Sequence, residues 1–312
     1  MLTQQTTTSI DVVVAVLTYR RPDQLRTLLP QLDRQSRELE QAFSCRSTIL
    51  VVDNDPDGSA ASLAATVSGV RYVHEPIPGI AAGRARAVDE AGGADVVVFI
   101  DDDEEPMPGW LANLVRTWID RGRPAGVAGR IAPTYDGVMD PWIEAGGFFR
   151  RRRYATGTVV HAASSANLLL DLGSLRDRGL NFDSRLGLRG GEDTLLTSTL
   201  TRNGAPVVWC DEAAVIDHIP PSRMSRRWVL RRAFSHGSVA SRTELAFTGG
   251  SLQAKGRLAI AAAARIGAGT VAAMAGVAAQ RLRWRARGWR LVYKGAGMLA
   301  GAVGRDVTEY RR

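Results

Sequence analysis

The stretch ADVVVFIDDD, residues 94–103, determines the fold that we expect for this chain. Its apolar core, residues 96–100, is almost entirely β-branched, which is typical of a strand buried on both faces of a parallel sheet. Three carboxylates follow at once, Asp101, Asp102 and Asp103. Because ligands bind beyond the carboxyl ends of the strands in open α/β sheets, this stretch predicts a buried strand that brings acidic groups to a binding edge.

Two similar stretches precede it along the chain. DVVVAVLTY (11–19) leads into Thr18-Tyr19-Arg20, and STILVVDND (47–55) ends in Asp53-Asn54-Asp55. Segments with helical spacing follow both strands and precede the third. Strands that alternate with helices predict an α/β protein with a mostly parallel central sheet flanked by helices. The three polar clusters should then meet at one edge of that sheet.

The acidic run at 101–103 favours a divalent cation. Adjacent carboxylates repel one another unless a positive charge neutralises them, and their hard oxygen atoms suit Mg²⁺ or Mn²⁺ bridged to phosphate oxygens. The alternative is a solvated acidic loop that runs on into Glu104 and Glu105. Since the run directly ends a buried strand, we favour the metal.

Further candidates have equally ordinary alternatives when taken alone. Glu192 and Asp193 open the predicted helix GGEDTLLTSTLTRNG (190–204), where acids can simply favour the helix dipole by about 0.3–1 kcal/mol. Asp53 could be a turn acid ahead of Pro56. His218 is a lone histidine, a residue more often structural than a ligand.

The positive charge is concentrated at the end of the chain. The formal net charge is +8, from 40 Lys and Arg against 32 Asp and Glu, yet residues 221–312 hold 18 of those bases and only 3 of the acids. An acidic body with a basic tail indicates a polyanionic partner, either anionic lipid or nucleic acid.

The tail also contains an apolar segment, residues 258–279. Arg265 interrupts it and leaves 14 uncharged residues, fewer than the roughly 20 that a spanning helix needs. We therefore expect an amphipathic helix on an anionic membrane surface, flanked by residues 281–290 with their five arginines and two tryptophans. A nucleic-acid site, considered unlikely, and a helical subdomain packed on the body are the alternatives.

Composition also predicts the compartment. Two distant cysteines form no disulfide framework, and the first residues, MLTQQTTTSID, lack the features of a secretory signal. We expect a cytoplasmic protein, peripheral on the inner face of the cell membrane.

Seven segments follow one another along the chain: VAVLTYRRP (14–22), VVDNDPDG (51–58), PGIAAGRARAV (78–88), FIDDDEEP (99–106), SANLLLD (165–171), GGEDTLL (190–196) and DHIPPSR (217–223). Together and in this order they resemble inverting glycosyltransferases of family 2 with the GT-A fold, and among them the bacterial exopolysaccharide (succinoglycan-type) transferases. The resemblance implies a catalytic domain over 1–235, with a nucleotide-sugar half at about 1–105 and an acceptor half at about 106–235. A basic, Ala/Arg-rich helical tail would occupy 236–312.

The resemblance also assigns roles to matching positions. It implies that the nucleotide is contacted by Thr18, Tyr19, Arg20, Asp53, Arg84, Asp101 and Asp102. Asp53 would accept a hydrogen bond from uracil. It implies a divalent metal, Mn or Mg, held by Asp103, Asp101 and His218. It makes Asp193 the general base that deprotonates the acceptor hydroxyl, and it places Asn167 and Glu192 on the acceptor side.

The predicted reaction is transfer of one sugar from a nucleotide-diphosphate donor, with UDP-sugar favoured, to a glycan or lipid-linked acceptor. We expect a single addition because Ser225-Arg226-Arg227-Trp228 matches the QxxRW motif of processive synthases only in part. A metal-dependent nucleotidyltransferase is one rival, although the start of the chain lacks a glycine-rich phosphate loop. A non-catalytic nucleotide or nucleic-acid binding protein on the same fold is the other.

Overall fold

Four parallel strands form the half of the sheet that carries the polar clusters. The computed structural model describes residues 9–304. The parallel strands are β1 (Ile10–Thr18), β2 (Cys45–Asp53), β3 (Val70–His74) and β4 (Val96–Asp101), in the order β3-β2-β1-β4. Alternate residues of β1 are buried against opposite faces of the sheet, as the two-residue period of a strand requires.

The other half of the sheet is mixed. Its strands are β5 (Glu104–Pro106), β6 (Gly126–Tyr135), β7 (Asn167–Asp171) and β8 (Val207–Ile219), which extend the order as β4-β7-β6-β8-β5. β7 runs antiparallel to both β4 and β6, and β5 runs antiparallel to β8. The prediction of a mostly parallel sheet therefore holds for the first four strands, and the remaining pairs for which a direction is defined are antiparallel.

The chain contains the following α-helices within residues 9–304: α1 (Pro22–Ala42), α2 (Ala61–Ala64), α3 (Ile80–Glu90), α4 (Trp110–Asp120), α5 (Pro141–Gly146), α6 (Leu172–Asp177), α7 (Glu192–Arg202), α8 (Arg226–Phe247), α9 (Leu252–Ala278) and α10 (Leu282–Ala302). α1 begins with Pro22, which suits the first helical turn, and buries leucines three and four residues apart. α1 and α4 cover one face of the sheet, and α3, α6 and α7 cover the other.

The chain divides into two compact units. The first comprises residues 9–132, 152–187 and 192–217, and holds the sheet apart from the last residues of β6 and β8. The second comprises residues 133–151, 188–191 and 218–304 and contains α5, α8, α9 and α10. The expected basic helical appendage is present, while the expected boundary at residue 235 falls inside α8.

The apolar tail segment forms a longer helix than its uncharged run indicates. α9 has 27 residues, and within residues 9–304 it alone is long and apolar enough to cross a membrane by length and composition. The 14 uncharged residues after Arg265 are only part of this helix, because α9 begins at Leu252 and continues through that arginine.

Candidate active site

Three parallel strands end side by side at the edge where the polar clusters were expected. Thr18 at the end of β1 pairs in register with Asp53 of β2, and Leu17 pairs with Asp101 of β4. The backbone N–H of Asn54 donates to the carbonyl of Thr18 at 2.9 Å, which extends the alignment beyond the strands. The register therefore brings the predicted polar groups to one edge of the first unit.

The middle carboxylate of the acidic run is buried and held from two sides. Asp102 accepts hydrogen bonds from Thr18 Oγ1 and from Arg21 Nη1, each at 2.9 Å. Burial and repulsion from Asp103 raise the pKa of Asp102 to about 6, although the Arg21 charge opposes the shift. Asp102 therefore anchors the acidic loop to the end of β1, and little of its side chain is exposed to solvent.

The outer carboxylates keep part of their surface in water. The Asp101 side chain is 35% exposed and that of Asp103 is 28% exposed. Asp103 Oδ2 lies 3.0 Å from Arg21 Nη1. The two outer carboxylates lie close enough to repel each other, which is the arrangement that the metal prediction requires.

Arg84 of α3 joins two segments that are distant in sequence. Its Nη2 lies 3.2 Å from Asp101 Oδ1, and its Nη1 forms an ion pair with Glu192 Oε1 at the start of α7. The side chains of Arg84 and Glu192 are 5% and 2% exposed. Such burial supports a positioning role for this pair, and the contacts with nucleotide and acceptor that the resemblance implies for Arg84 and Glu192 stay predictions.

Asp193, the predicted base, remains accessible beside this pair. It is half-buried in the first turn of α7. One carboxylate oxygen accepts from the backbone N–H of Ser165 at 3.4 Å, and the other accepts from that of Thr194 at 2.5 Å. Glu192, the residue before Asp193, pairs with Arg84, which also contacts Asp101. Asp193 and Asp101 therefore lie near each other, on either side of Arg84.

Asp53 is directed into the protein. It is fully buried and accepts hydrogen bonds from the backbone N–H groups of Asp55 at 3.0 Å and Ala60 at 2.7 Å. The Tyr72 hydroxyl donates to it at 3.2 Å. Burial and the negative charge of Asp53 raise the pKa of Tyr72 to about 12. With both oxygens engaged, Asp53 organises its loop, and this geometry does not favour the predicted bond to uracil.

Tyr19 and Arg20 form an accessible surface next to the same loop. Arg20 has a left-handed backbone, with φ of 55°, which is uncommon for a residue with a side chain. Its guanidinium lies 5.3 Å from the centroid of the Tyr19 ring and pairs with Asp55 at 3.1 Å and Asp57 at 3.0 Å. A flat aromatic and cationic surface of this kind suits a nucleotide base.

Sequence reasoning assigned no role to two residues that shape this edge. Arg21 bridges Asp102 and Asp103, and its position one residue after the predicted Arg20 was the available signal. The Asn54 side chain donates to the carbonyls of Glu75 at 2.9 Å and Ile77 at 2.7 Å, and so fixes the loop before α3. Asn54 belongs to the polar cluster predicted at the end of β2, but its partners in the loop before α3 could not be read from the sequence.

Asn167 lies within the sheet. Its amide donates to the carbonyls of Arg130 at 3.0 Å and Ala213 at 2.9 Å, and its oxygen accepts from Trp110 Nε1 at 2.9 Å. The residue is 1% exposed. Its amide is used for cross-linking the strands, and this arrangement does not favour the predicted contact with the acceptor.

His218 belongs to the second unit. Its Nδ1 lies 3.2 Å from Thr134 Oγ1 and 3.8 Å from Asp136. Within residues 9–304, no three His, Cys, Asp or Glu side chains are grouped as a metal site. Asp101 and Asp103 nevertheless fit an ion held by one or two carboxylates and completed by substrate phosphates, as Mg²⁺ commonly is. His218 as a third ligand stays a prediction.

A family model, Glycosyl transferase family 2, matches residues 13–179, which is more than half of the chain. The chain belongs to glycosyl transferase family 2. The matched span runs from β1 through α6, so that it contains Asp101, Asp103 and Arg84 but stops before Asp193 and His218. The roles of those last two residues depend on the local geometry described above.

Relatives and solved structures agree with this assignment. The chain is 29% identical over 242 residues to the succinoglycan biosynthesis protein ExoM of Rhizobium meliloti (strain 1021), covering 75% of each protein. Mannosyltransferase PcManGT from Pyrobaculum calidifontis, solved with GDP-Man and Mn²⁺, has a TM-score of 0.64 at 17% identity, covering 95% of this chain and 88% of that one. GalNAc-T7, solved with UDP, GalNAc and Mn²⁺, has a TM-score of 0.53 at 12% identity, covering 75% of this chain and about half of that protein.

The family 2 protein is thus a glycosyltransferase with the GT-A fold, as the sequence motifs predicted. Its mixed sheet and flanking helices are shared with the solved structures, which at these identities are similar in fold alone.

Proposed function

We propose that this glycosyltransferase moves one sugar from a nucleoside-diphosphate donor, with UDP-sugar favoured, to a hydroxyl of a glycan or lipid-linked acceptor, with inversion. The observation that supports the proposal is the position of Asp193, a half-buried carboxylate that directly follows Glu192, which Arg84 links to Asp101. A base next to the group that would hold the donor diphosphate is what direct displacement at the anomeric carbon requires.

The donor would be held at the edge formed by β1, β2 and β4. Tyr19 and Arg20 offer a surface for the base, and Asp101 and Asp103 would hold the divalent metal that binds the diphosphate. When bound, that metal would act as a Lewis acid that stabilises the charge on the departing diphosphate. The Mn²⁺ in PcManGT and in GalNAc-T7 supports this choice of cofactor.

Asp193 would take the proton from the acceptor hydroxyl as that oxygen attacks. The backbone N–H groups of Ser165 and Thr194 donate to the Asp193 carboxylate and orient it. The Arg84–Glu192 ion pair holds the first turn of α7, to which Asp193 belongs. A positioned base of this kind contributes about 10²–10⁴-fold in rate. A protein that only binds nucleotides has no need of such a base.

The proposed setting is exopolysaccharide assembly on the cytoplasmic face of a bacterial membrane. The similarity to ExoM supports the pathway class, and the basic tail supports a lipid-linked acceptor. We propose a single addition per acceptor, and a ladder of products from one acceptor would contradict it.

Calorimetry with UDP, with and without Mn²⁺, tests the donor site first. Wild type should bind UDP only when Mn²⁺ is present, and Asp103→Asn should lose that metal-dependent binding. Asp23→Asn is the matched control, because Asp23 is an 86% exposed carboxylate on α1. GDP and dTDP identify the base if UDP does not bind.

Release of free nucleoside diphosphate then tests the reaction. UDP-sugars that bind should give UDP and a glycosylated acceptor with wild type but not with Asp193→Asn. Metal-dependent binding without release of nucleoside diphosphate, over a full set of acceptors, would favour a non-catalytic nucleotide-binding protein. Failure to bind any of the three nucleotides would refute the donor site.

A further inference from the structure

One side of α9 is apolar and exposed. Ile260 is 73% exposed, Val271 and Met274 are each 68% exposed, and Val277 is 61% exposed. These positions recur at helical spacing, and the exposed small residues Ala264 and Gly267 lie between them on the same stripe. Only 17% of the apolar stretch of this helix that could cross a membrane is buried.

The opposite side of α9 is taken up by α10. A Cβ on Gly276 would lie 2.5 Å from the backbone nitrogen of Arg285, and one on Gly288 would lie 2.5 Å from the carbonyl oxygen of Gly269. The helices therefore meet backbone to backbone as an antiparallel hairpin, in which small residues permit the close approach. Packing within the hairpin uses one stripe of α9 and leaves the apolar stripe outside.

The hairpin carries only positive charge. Residues 245–304 contain nine Lys and Arg and no Asp or Glu. Arg281, Arg283 and Arg285 are exposed at the start of α10, directly after the apolar stripe ends. Trp284 and Trp289 are 50% and 46% exposed between and beyond these arginines, and tryptophan is the side chain favoured at membrane interfaces.

We propose that the apolar stripe of α9 inserts into the surface of an anionic lipid bilayer, with α9 lying in the membrane plane. The headgroups would contact the arginines and tryptophans of α10. Charge complementarity selects this occupant, because a purely positive hairpin matches a negatively charged leaflet. The inference rests on the proposed function for its membrane setting and names the surface that makes the contact, while no chemical step of sugar transfer depends on it.

An in-plane orientation follows from the pairing of the two helices. α9 is long enough to cross a bilayer, but α10 lies along it, and five arginines lie between residues 281 and 290, four of them in α10 and one just before it. Charged side chains at the bilayer centre are strongly unfavourable. The hairpin can therefore bury its apolar stripe in the interface but cannot enter the hydrocarbon core as a unit.

Flotation of the full chain with vesicles tests the proposal. The vesicles would contain phosphatidylcholine, either alone or with about one-third phosphatidylglycerol, at about 0.15 M salt. Wild type should float with the anionic vesicles only, and Val271→Ser combined with Met274→Ser should lower its partition coefficient about tenfold or more. Val138→Ser is the matched control, because Val138 is an apolar residue of the second unit that is 98% exposed.

The charge contribution is tested separately. Arg283→Gln and Arg285→Gln should each weaken binding about fivefold, and together they should reduce its salt dependence. UDP binding and circular dichroism on the same samples show that each variant is folded, and they keep failure of the membrane proposal distinct from failure of the donor site.

Several results would overturn the proposal. Wild type that stays with the soluble fraction, or a double variant that floats as well as wild type, would exclude the stripe as the binding surface. Wild type that resists extraction by alkaline carbonate would indicate a spanning helix. A dimer that disappears in the double variant, without vesicle binding, would show that the stripe contacts a second copy.

Discussion

Replacing Arg84 with methionine should strongly destabilise the first unit. The Glu192 side chain is 2% exposed and forms its ion pair with Arg84, which also contacts Asp101. Methionine preserves much of the side-chain volume but leaves the Glu192 charge in a buried site without that partner. Removing one member of a buried pair typically costs about 3–5 kcal/mol in the free energy of unfolding, so we expect Arg84→Met to cost an amount in this range.

Urea unfolding, followed by circular dichroism and tryptophan fluorescence, measures this cost. The decisive sample is Arg84→Met combined with Glu192→Gln, which removes the buried charge together with its partner. It should recover about 2–3 kcal/mol relative to the sum of the two single variants. A cost for Arg84→Met below about 1 kcal/mol, or single effects that simply add, would refute the view that this pair fixes the start of α7.

Three further predictions follow from the site and its surroundings. Asp193→Asn should lower kcat about 10²–10⁴-fold while the Kd for UDP in calorimetry stays unchanged; a parallel loss of UDP binding would contradict its role as a base. Asn167→Ala should lower stability by about 2–4 kcal/mol in urea unfolding, because it leaves three buried groups without their bond, whereas a raised KM for the acceptor at unchanged stability would restore the acceptor role. Desolvation and repulsion from nearby cations, Arg232 foremost, lower the pKa of His236 from 6.5 to about 4. The unfolded chain then takes up a proton at a higher pH than the folded one, so the free energy of unfolding should fall as pH falls from about 6.5 to 4, and His236→Gln should make that fall smaller. The same pH dependence in wild type and variant would exclude His236 as its source.

The part of the fold that alternates between strand and helix could be predicted from the sequence. β1, β2 and β4 are β-branched runs that end in polar residues, and both the strand period and the position of the acids are visible in one dimension. Asp193 could be placed at the start of a helix for the same reason, since the glycines before it and the acids after it are local signals.

Other features depend on contacts between distant segments. Whether Asp53 faces a ligand or Tyr72 is decided by the loop at 55–60 and by β3. The hydrogen bonds of Asn167 go to two carbonyl groups of neighbouring strands and to one indole of α4, none of them close to it in sequence. Such hydrogen bonds leave no periodic trace in the sequence. The ligand contacts that the resemblance implies for Asp53 and Asn167 stay predictions, and the hydrogen bonds of both residues within the protein could not be foreseen.

The direction of β7 determines which loop can serve the catalytic edge. Because β7 runs against β4, its first residue pairs with Ile100, close to the end of β4. A parallel β7 would place the loop before it at the far side of the sheet, about 16 Å away for five residues. The reversal instead brings residues 164–166 alongside the acidic run, where the Ser165 backbone meets Asp193. A change in strand polarity thus supplies the edge with main-chain donors from the later part of the sequence, which substitution of side chains alone would not remove.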